Sequence, residues 1–429
     1  MTHERSLRML IVALLTMALV PALLVPNVSA QSKYKNLHTF NGGNDGRVVQ
    51  SGLVLDPAGN LYGTTDGGGT NNGGTVFRLT RNADGTWTES VLYSFCSLSN
   101  CGDGMEPMAG LILDQAGNLY GTTRTGGPNN GGTVFKMTAN LGGTWTESVL
   151  YGFCSLSNCQ DGNWPEAALM LDQAGNLYGT TIYGGAHQEG TAFRLMPNED
   201  GSWTESVLYS FCSMTYCPDG RNPVAGLISD QTGNLYGMTQ YGGNSSGNGT
   251  VFKLTPHQNG SWTHQVLHRF CSRSNCSDGG FPLGALILDQ SGGLYGTTSA
   301  WPTEGLVFKL TQNKRGGWTE QVLHTFCFRT SCYDGDYPTS TLILDHQGNL
   351  YGTTASGGYV GGCTLGCGVV FRLAPTSHSG WKETVLHRFA DHPGAYPLAG
   401  VILDAAGNLF GTTNGDDITT QGSVFEIAP

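Results

Sequence analysis

Apolar residues occur along this chain in short runs that polar, glycine-rich segments separate. One unit of the chain, residues 53 to 95, shows the pattern. It contains in succession the runs "LVLD", "NLYGTT", "TVFRL" and "ESVLYSF". Valine, tyrosine, threonine and phenylalanine in runs of this length favour strands, whereas Asp-x-x-Gly segments such as "DPAG" favour tight turns. No stretch after residue 30 shows a helical period. The pattern therefore predicts an all-β fold.

The first two runs anchor a repeat that fills the chain. It occurs seven times, from "LVLDPAGNLYGTT" to "VILDAAGNLFGTT", with copies 56 to 59 residues apart. The shared aspartate falls at Asp56, Asp114, Asp172, Asp230, Asp289, Asp345 and Asp404. Four consecutive antiparallel strands repeated at such a period are typical of the blades of a β-propeller. The repeat predicts a seven-bladed β-propeller of four-stranded antiparallel blades.

The two ends of the repeat array complement each other. The last copy ends after its third strand, "GSVFEIAP", and "NLHTF" at residues 36–40 matches the fourth strand of the other copies. We expect the N-terminal strand to complete the seventh blade, which removes an open sheet edge. Small residues also recur just before each first strand, as in Ser51-Gly52 and Ala109-Gly110. We expect these segments to surround the central axis, where bulky side chains would collide.

The first thirty residues form a separate segment. Arg5 and Arg8 precede an apolar run from residue 9 to about residue 25, and "VSA" at 28–30 is typical of a cleavage site. This pattern predicts a signal peptide over residues 1–30 and a single propeller over residues 31–429. The alternative is a retained membrane anchor. No other apolar run is long enough to span a bilayer.

Charge and cysteine content narrow the possible partners and the compartment. Without Arg5, Arg8 and Glu4, 19 basic residues face 31 acidic ones, which argues against nucleic acid and anionic membranes as partners. Twelve cysteines in an exported chain favour disulfides. We expect a secreted protein, periplasmic or extracellular, that is monomeric and has no membrane span after signal cleavage.

The unit "LxLDxxGNLYGTTxxGG…GTVFKLT" resembles the GloVer tandem repeat of secreted bacterial proteins. The resemblance covers essentially all of the chain after residue 30. It implies export and a propeller-like repeat, and it implies no catalytic residues.

Five loops share the pattern Cys-x4-Cys followed by Asp-Gly, and we call each of them a cysteine loop. Each loop predicts one local disulfide, and "CTLGC" predicts a sixth; the pairs are Cys96–Cys101, Cys154–Cys159, Cys212–Cys217, Cys271–Cys276, Cys327–Cys332 and Cys363–Cys367. The alternative is a metal site, but two thiolates cannot complete a tetrahedral zinc site and no histidine recurs nearby. In propellers, blade-to-blade loops share a face with the loops between second and third strands. We expect that face to hold any binding site.

The aspartate after each cysteine loop is the first candidate site residue. The series is Asp103, Asp161, Asp219, Asp278 and Asp334, with Asp45 as a counterpart that lacks cysteines and Asp391 slightly out of register. One interpretation is structural, with Asp capping its own turn and Gly taking a positive φ. The other is a ring of carboxylates at the mouth of the channel that could hold Ca²⁺ or a cationic ligand. No other metal or cofactor is predicted.

Aromatic residues before a recurring proline form the second candidate set. The pre-proline residues are Glu106, Trp164, Asn222, Phe281, Tyr337 and Tyr396. Aromatic platforms suit sugar rings, which present apolar C–H faces; the alternative is that each ring packs against its neighbouring loop. Departures from the repeat add asymmetric candidates, namely His187, Glu189, Trp301, Glu304, Asp416 and Asp417.

These features favour a non-catalytic binding or scaffold module for a glycan or an envelope protein. The alternative is a hydrolase or lyase acting on extracellular carbohydrate, which would need one privileged cluster rather than a repeated site. "DGTW" is similar to the Asp-box of sialidase propellers, but its spacing is one residue short. The chain has no G-x-S-x-G nucleophile elbow and no His-Glu-x-x-His zinc motif.

Overall fold

The computed structural model describes residues 33–299, 304–327, 332–359, 363–390, 394–415 and 421–429, so the expected signal peptide lies outside the described residues. The described strands form seven four-stranded sheets, and every neighbouring pair within a sheet is antiparallel. Each sheet is one blade, which confirms the predicted seven-bladed β-propeller. In the part of the chain that is described, no helix is long and apolar enough to cross a membrane.

The strands follow the four apolar runs of each repeat. The first strands are β2 (Val54–Leu55), β6 (Ile112–Leu113), β10 (Met170–Leu171), β14 (Ile228–Ser229), β18 (Ile287–Leu288), β22 (Ile343–Leu344) and β26 (Ile402–Leu403). The second strands are β3 (Leu61–Thr65), β7 (Leu119–Thr123), β11 (Leu177–Thr181), β15 (Leu235–Thr239), β19 (Leu294–Thr298), β23 (Leu350–Thr354) and β27 (Leu409–Thr413).

The third and fourth strands are longer. The third strands are β4 (Thr75–Arg81), β8 (Thr133–Ala139), β12 (Thr191–Pro197), β16 (Thr250–Pro256), β20 (Leu306–Gln312), β24 (Val369–Pro375) and β28 (Ser423–Ala428). The fourth strands are β5 (Trp87–Ser94), β9 (Trp145–Gly152), β13 (Trp203–Ser210), β17 (Trp262–Arg269), β21 (Trp318–Thr325), β25 (Trp381–Arg388) and the N-terminal β1 (Lys33–Thr39). Three short 3₁₀ turns lie at Ser99–Cys101, Ser157–Cys159 and Ser274–Cys276.

The N-terminal strand closes the ring. β1 pairs antiparallel with β28, with Tyr34 opposite Ile427 and His38 opposite Val424. The seventh sheet therefore has the order β1-β28-β27-β26. This pairing confirms the closure that the matching chain ends predict.

The core lies between neighbouring blades rather than within one blade. A phenylalanine at the end of each fourth strand packs edge to face on a phenylalanine of the next third strand, with ring centroids 4.9–5.2 Å apart. The pairs are Phe40–Phe77, Phe95–Phe135, Phe153–Phe193, Phe211–Phe252, Phe270–Phe308, Phe326–Phe371 and Phe389–Phe425. The recurring glycine of the second strands makes room for these rings, because a Cβ on Gly63 would lie 2.6 Å from Phe77 Cζ.

Small residues surround the axis, as the sequence predicts. The segments before all seven first strands line one central channel of about 330 Å³. Their narrow side chains let seven strands approach one another. They also give the channel wall few charged or reactive side chains. The chemistry of this part of the molecule must therefore come from the loops at the ends of the channel.

Candidate functional site

Every cysteine of the chain is in a disulfide. The pairs are Cys96–Cys101, Cys154–Cys159, Cys212–Cys217, Cys271–Cys276, Cys327–Cys332 and Cys363–Cys367, and none of the twelve is free. The six predicted pairs are confirmed. Because disulfides persist in oxidising compartments, the pairing fits a periplasmic or extracellular protein.

The aspartate after the first cysteine loop holds that loop together. Asp103 is fully buried. Its carboxylate accepts hydrogen bonds from the Tyr93 hydroxyl (2.8 Å), from the Ser97 N–H (2.9 Å) and hydroxyl (2.9 Å), and from the Leu98 N–H (3.1 Å). Burial opposes ionisation, but these bonds outweigh it and lower the pKa of Asp103. Gly104 follows with φ 95°, where a Cβ would collide with Thr123.

The other members of the series are held by their own loops in the same way, as the structural interpretation of the series predicts, and binding of a ligand by them stays a prediction. Asp161 and Asp278 are fully buried and Asp219 is 3% exposed; all three accept from the backbone N–H and hydroxyl of a loop serine. Asp334 accepts from the Cys327 N–H and lies 3.4 Å from His324 Nε2. These carboxylates face their own loops because they must satisfy donors there. Asp391 lies outside the described residues.

The cysteine loops share one face of the ring with the loops between second and third strands. The Gly127 N–H, in such a loop of blade two, donates to the Cys101 carbonyl at 2.8 Å. The same bond recurs from Gly185 to Cys159, from Gly243 to Cys217 and from Gly358 to Cys332. We call this side the loop face.

The residue before the recurring proline joins two neighbouring blades. All six residues have φ between 52° and 60°, a region that non-glycine residues seldom occupy. In blade three, the Trp164 N–H donates to the Gly131 carbonyl of the preceding blade (3.0 Å), and its carbonyl accepts from Ile182 (3.1 Å) in its own blade. The recurrence makes this conformation part of the scaffold, so the side chain at the position is free to vary.

The end of the channel on the loop face is called the channel mouth. It comprises the pre-proline residues, the residues directly before them, the residues that follow the second strands, and the side chains in contact with these. Glu166 and Met108 belong to it and line the channel itself.

The four predicted aromatic residues lie at the channel mouth in different surroundings. Trp164 is half-buried, with its ring edge to face against Tyr183 at 5.2 Å. Phe281 is also half-buried and contacts Tyr241 at 5.6 Å. Their partners were not predicted, although Tyr183 and Tyr241 occupy one repeat position.

The other two predicted aromatics differ in exposure. Tyr337 is 44% exposed. Tyr396 is partly buried and packs against the core of the last two blades. Tyr337 therefore offers the most open aromatic face of the four.

An asymmetric acidic cluster occupies the mouth at blades one to three. Arg124 Nε lies 2.8 Å from Glu166 Oε1, and its guanidinium carbon lies 4.4 Å from the centroid of the Trp164 ring. Burial raises the pKa of Asp66, and the nearby Glu106 carboxylate raises it further, against the effect of Arg124. Burial also raises the pKa of Glu166, while Arg124 opposes that change. Three carboxylates and one arginine are thus grouped beside one indole.

Two further groups lie at equivalent places around the ring. In blade four, the Arg221 guanidinium lies 5.4 Å from the Tyr241 ring centroid and 3.4 Å from Glu189 Oε1. In the second group, Asp336 of blade six takes the position of Arg221 in the repeat, and Glu304 of blade five takes that of Glu189. The equivalence is visible in the backbone, because the Asn222 N–H donates to the Glu189 carbonyl and the Tyr337 N–H to the Glu304 carbonyl.

A separate cavity lies on the rim of the ring. It measures about 630 Å³ between β21 and β25, and His324, Asp334, Glu383 and Arg388 line it together with apolar side chains. Apart from Tyr333 and Asp334 of one cysteine loop, its walls belong to fourth strands, which are the strands farthest from the axis. We therefore place the candidate site at the channel mouth, where loops of several blades converge.

No group of three histidine, cysteine, aspartate or glutamate side chains among the described residues could hold a metal ion. Calcium binding stays a prediction, to be checked by a binding assay. Of the asymmetric candidates, Glu189 and Glu304 lie at the mouth. His187 is an exposed residue of the loop that contains Glu189. Trp301, Asp416 and Asp417 lie outside the described residues.

Sequence reasoning missed Asp66, Arg124, Glu166 and Asp336. A signal for two of them was present, because the residue after each "GTT" is variable within an otherwise constant motif. That series reads Asp66, Arg124, Ile182, Gln240, Ser299, Ala355 and Asn414. Only the ring geometry brings this position beside the pre-proline residues.

Known structures agree with this architecture. One of the solved structures similar to this chain is a crystal structure from Bacteroides fragilis described as a candidate 6-phosphogluconolactonase. It shares 13% sequence identity, covers 88% of this chain and 100% of its own, and superimposes with a TM-score of 0.53. At that identity the likeness shows the fold alone. No curated protein matches the chain.

The repeat itself has a described family. The sequence model of the Gloeobacter/Verrucomicrobia repeat matches four overlapping stretches, residues 26–159, 88–303, 144–361 and 275–429. Together these matches run from just before the first strand to the last residue, and they cover all seven blades. The chain therefore belongs to the Gloeobacter/Verrucomicrobia repeat family.

Proposed function

We propose that this protein is a non-catalytic, exported binding module that holds a glycan at the channel mouth. The observation that carries the proposal is an arc of aromatic residues on the loop face, from Trp164 and Tyr183 through Tyr241 and Phe281 to Tyr337. Tyr183 and Tyr337 are 41% and 44% exposed. Sugars stack their C–H faces on such rings. Because the propeller loops already hold the rings in place, little conformational entropy is lost when the sugar binds.

The polar groups of the mouth supply the second requirement of a glycan site. Sugar hydroxyls need acceptors, and the mouth carries Asp66, Glu106, Glu166, Glu304 and Asp336. The side-chain oxygen Oδ1 is buried without a hydrogen-bond partner in Asp66 and in Asp336. Such atoms favour a bound donor, because a buried acceptor without a partner is costly.

The rigidity of the loop face also supports binding. Disulfides and buried aspartates hold the cysteine loops, and the backbones of the pre-proline residues join adjacent blades. A preorganised surface loses little conformational entropy when a ligand binds. Six disulfides further support a site outside the cytoplasm.

A second candidate is a hydrolase or lyase acting on carbohydrate. The grouping of Asp66, Glu106 and Glu166 in one sector favours it, because an enzyme needs one privileged cluster. Raised pKa values at Asp66 and Glu166 are typical of general acids. Yet Arg124 pairs with Glu166 and covers the Trp164 face, which restricts the access of a substrate to that carboxylate. We therefore rank binding first.

A glycan array with the mature protein, with and without Ca²⁺, tests the proposal. We expect binding to a defined class of oligosaccharide that Tyr337→Ala weakens by about tenfold, as loss of a stacking residue does, with little change in melting temperature. Arg81→Ala, an exposed change at the end of a third strand, is the control. No glycan signal, with capture of an envelope protein instead, would contradict the proposal. Release of shortened sugars from any bound glycan would favour the enzyme.

A further inference from the structure

We propose, resting on the glycan-binding function above, that the glycan is positively charged and that its amino groups bind between Glu304, Asp336 and Tyr337. A polymer of glucosamine is the simplest ligand of this class. At two other places in the channel mouth the chain itself supplies a cation.

At both of those places a guanidinium lies over an aromatic ring and beside a carboxylate. Arg124 lies over Trp164 at 4.4 Å and pairs with Glu166 at 2.8 Å. Arg221 lies over the ring of Tyr241 at 5.4 Å and pairs with Glu189 at 3.4 Å. An aromatic face and a carboxylate together favour a cation in each case.

At the junction of blades five and six the carboxylate is kept and the cation is replaced. Ser356 stands where blade four has Tyr241, so the aromatic residue here is Tyr337, at the pre-proline position that Trp164 holds in blade three. Glu304 corresponds to Glu189 and gives its carbonyl to the Tyr337 N–H at 3.1 Å. Asp336 stands where blade four has Arg221. The exchange of arginine for aspartate removes the partner of the glutamate and adds a second negative charge beside it.

The charges around Asp336 are consistent with this geometry. Burial raises the pKa of Asp336 to about 6, and the Glu304 carboxylate contributes to the rise. No lysine or arginine within the described ranges forms an ion pair with Glu304 or Asp336. Asp336 Oδ1 is buried without a hydrogen-bond partner. A ligand ammonium would supply the positive charge and donors that the other two places receive from arginine.

The charge of the whole mouth points the same way. The six carboxylates Asp66, Glu106, Glu166, Glu189, Glu304 and Asp336 face three arginines, Arg47, Arg124 and Arg221. Two arginines are paired with glutamates, and the charge of Arg47 lowers the pKa of Asp66. The excess charge is negative, so an anionic glycan would meet repulsion and a cationic one attraction.

The aromatic arc favours a cationic glycan over other cationic ligands. Phe281 and Tyr241 form an edge-to-face pair on blades five and four, near the blade-six group around the ring. A polymer of amino sugars could place ammonium groups on the carboxylates and C–H faces on the rings. A lysine-rich peptide would supply only the charge.

Titration calorimetry of the mature protein at about pH 6 and low salt tests the inference. The probes are hexasaccharides of glucosamine, N-acetylglucosamine and glucose, with hexalysine as the charge control. We expect the glucosamine hexamer to bind at least about tenfold more tightly than the two neutral hexamers. Glu304→Gln and Asp336→Asn should each reduce that preference by about tenfold, and Asp336→Arg, which gives Glu304 the arginine partner that Glu189 has in Arg221, should abolish it.

The control variant is Asp84→Asn, because Asp84 is an exposed carboxylate in the turn after a third strand, outside the mouth. It removes one negative charge and should leave all four affinities unchanged. Equal binding of charged and neutral hexamers would overturn the inference while the glycan-binding function stands. Binding of hexalysine as tightly as the glucosamine hexamer would overturn it in favour of charge alone. If no hexasaccharide binds, the inference fails, and the glycan array decides whether the glycan-binding function stands.

Discussion

The Thr412 hydroxyl donates a hydrogen bond to the Ser51 carbonyl at 2.8 Å, across 361 positions of sequence. The same bond joins each of several blades to the next, as from Thr64 to Ala109 (3.0 Å). A threonine of the second strand thus reaches the small-residue segment of the following blade. Its recurrence between the last blade and the first shows that the ring is closed by the contacts that hold all the other blades together.

Closure predicts that Phe40 is as important as its counterparts inside the ring. Phe40 is 2% exposed and packs on Phe77 at 5.0 Å, as Phe95 packs on Phe135 at 4.9 Å. We expect Phe40→Ala and Phe95→Ala to lower the free energy of unfolding by similar amounts, about 3–5 kcal/mol each. Denaturant unfolding measures both.

A deletion checks the same contact independently. Removing residues 31–41 leaves the edge of β28 unpaired, so the truncated protein should melt at a lower temperature and aggregate. Size-exclusion chromatography and a thermal melt report the result. A monomeric truncated protein with an unchanged melting temperature, or a Phe40→Ala variant as stable as the wild type, would argue against a closed ring.

The buried aspartates predict a specific cost for removing their charge. Asp103 Oδ2 accepts bonds from the Ser97 N–H and the Tyr93 hydroxyl, and Oδ1 accepts one from the Leu98 N–H. Asp103→Asn keeps the shape of the side chain but replaces one of these two oxygens. We expect a loss of about 2–3 kcal/mol in the free energy of unfolding, as for hydrogen bonds to a charged group. Asp200→Asn, at an exposed turn, is the matched control and should change little.

The disulfides predict a second, separable loss. Each cysteine loop closes a short ring, which removes about 2 kcal/mol of loop entropy from the unfolded chain. The double change Cys96→Ser and Cys101→Ser should therefore cost about 2 kcal/mol. Mass spectrometry of the non-reduced protein should find six local pairs. Bound zinc or free thiols in the purified protein would contradict the assignment.

A partly buried glutamate of β9, Glu147, predicts pH-dependent stability. Burial raises the pKa of Glu147 to about 8, and the Asp103 carboxylate contributes. Because the folded-state pKa exceeds the unfolded value, protonated Glu147 stabilises the fold fully below about pH 4.5, and this contribution is lost as the pH rises through 8. Glu147→Gln, which stays neutral, should raise the melting temperature at pH 9 by a few degrees relative to wild type and change it little at pH 4.

Glu199→Gln is the control for that comparison, because Glu199 is exposed and should show no such pH dependence. Comparing each variant with the wild type at the same pH removes the contribution of the other titrating groups. A uniform shift of the melting temperature across the whole pH range would mean that packing, rather than charge, distinguishes Glu147 from glutamine.

We expect the stability contributed by the acidic cluster to depend on the positive charge of Arg124. Arg124→Ala removes the partner of Glu166 and a favourable charge near Asp66, so the pKa values of both carboxyls should rise further. The variant should be destabilised by about 1–3 kcal/mol at pH 8 and by less at pH 5, where the carboxyls take up protons. Thermal melts at both pH values test this, with Arg81→Ala as the control. An equal loss at both pH values would assign the effect to packing on Trp164 instead.

The sequence alone determined the blade count, the strand order and the disulfide pairs, because all of them are local and repeated. Seven copies of one motif set the number of blades, and each cysteine has its partner four or five positions away. Matching ends were enough to predict that β1 completes the blade of β28. Information of this kind lies within a single repeat or in the comparison of two repeats.

Only the tertiary structure decided which residues form the site. Asp103 and Asp336 are both aspartates near blade-to-blade loops, yet one is saturated by its own loop and the other faces Glu304. Arg124, Trp164 and Glu166 meet because the ring brings a second-strand end of one blade beside the pre-proline segment of the next. Such contacts join positions about 40 residues apart across a blade junction, and they depend on side-chain direction and burial, neither of which the repeat pattern records.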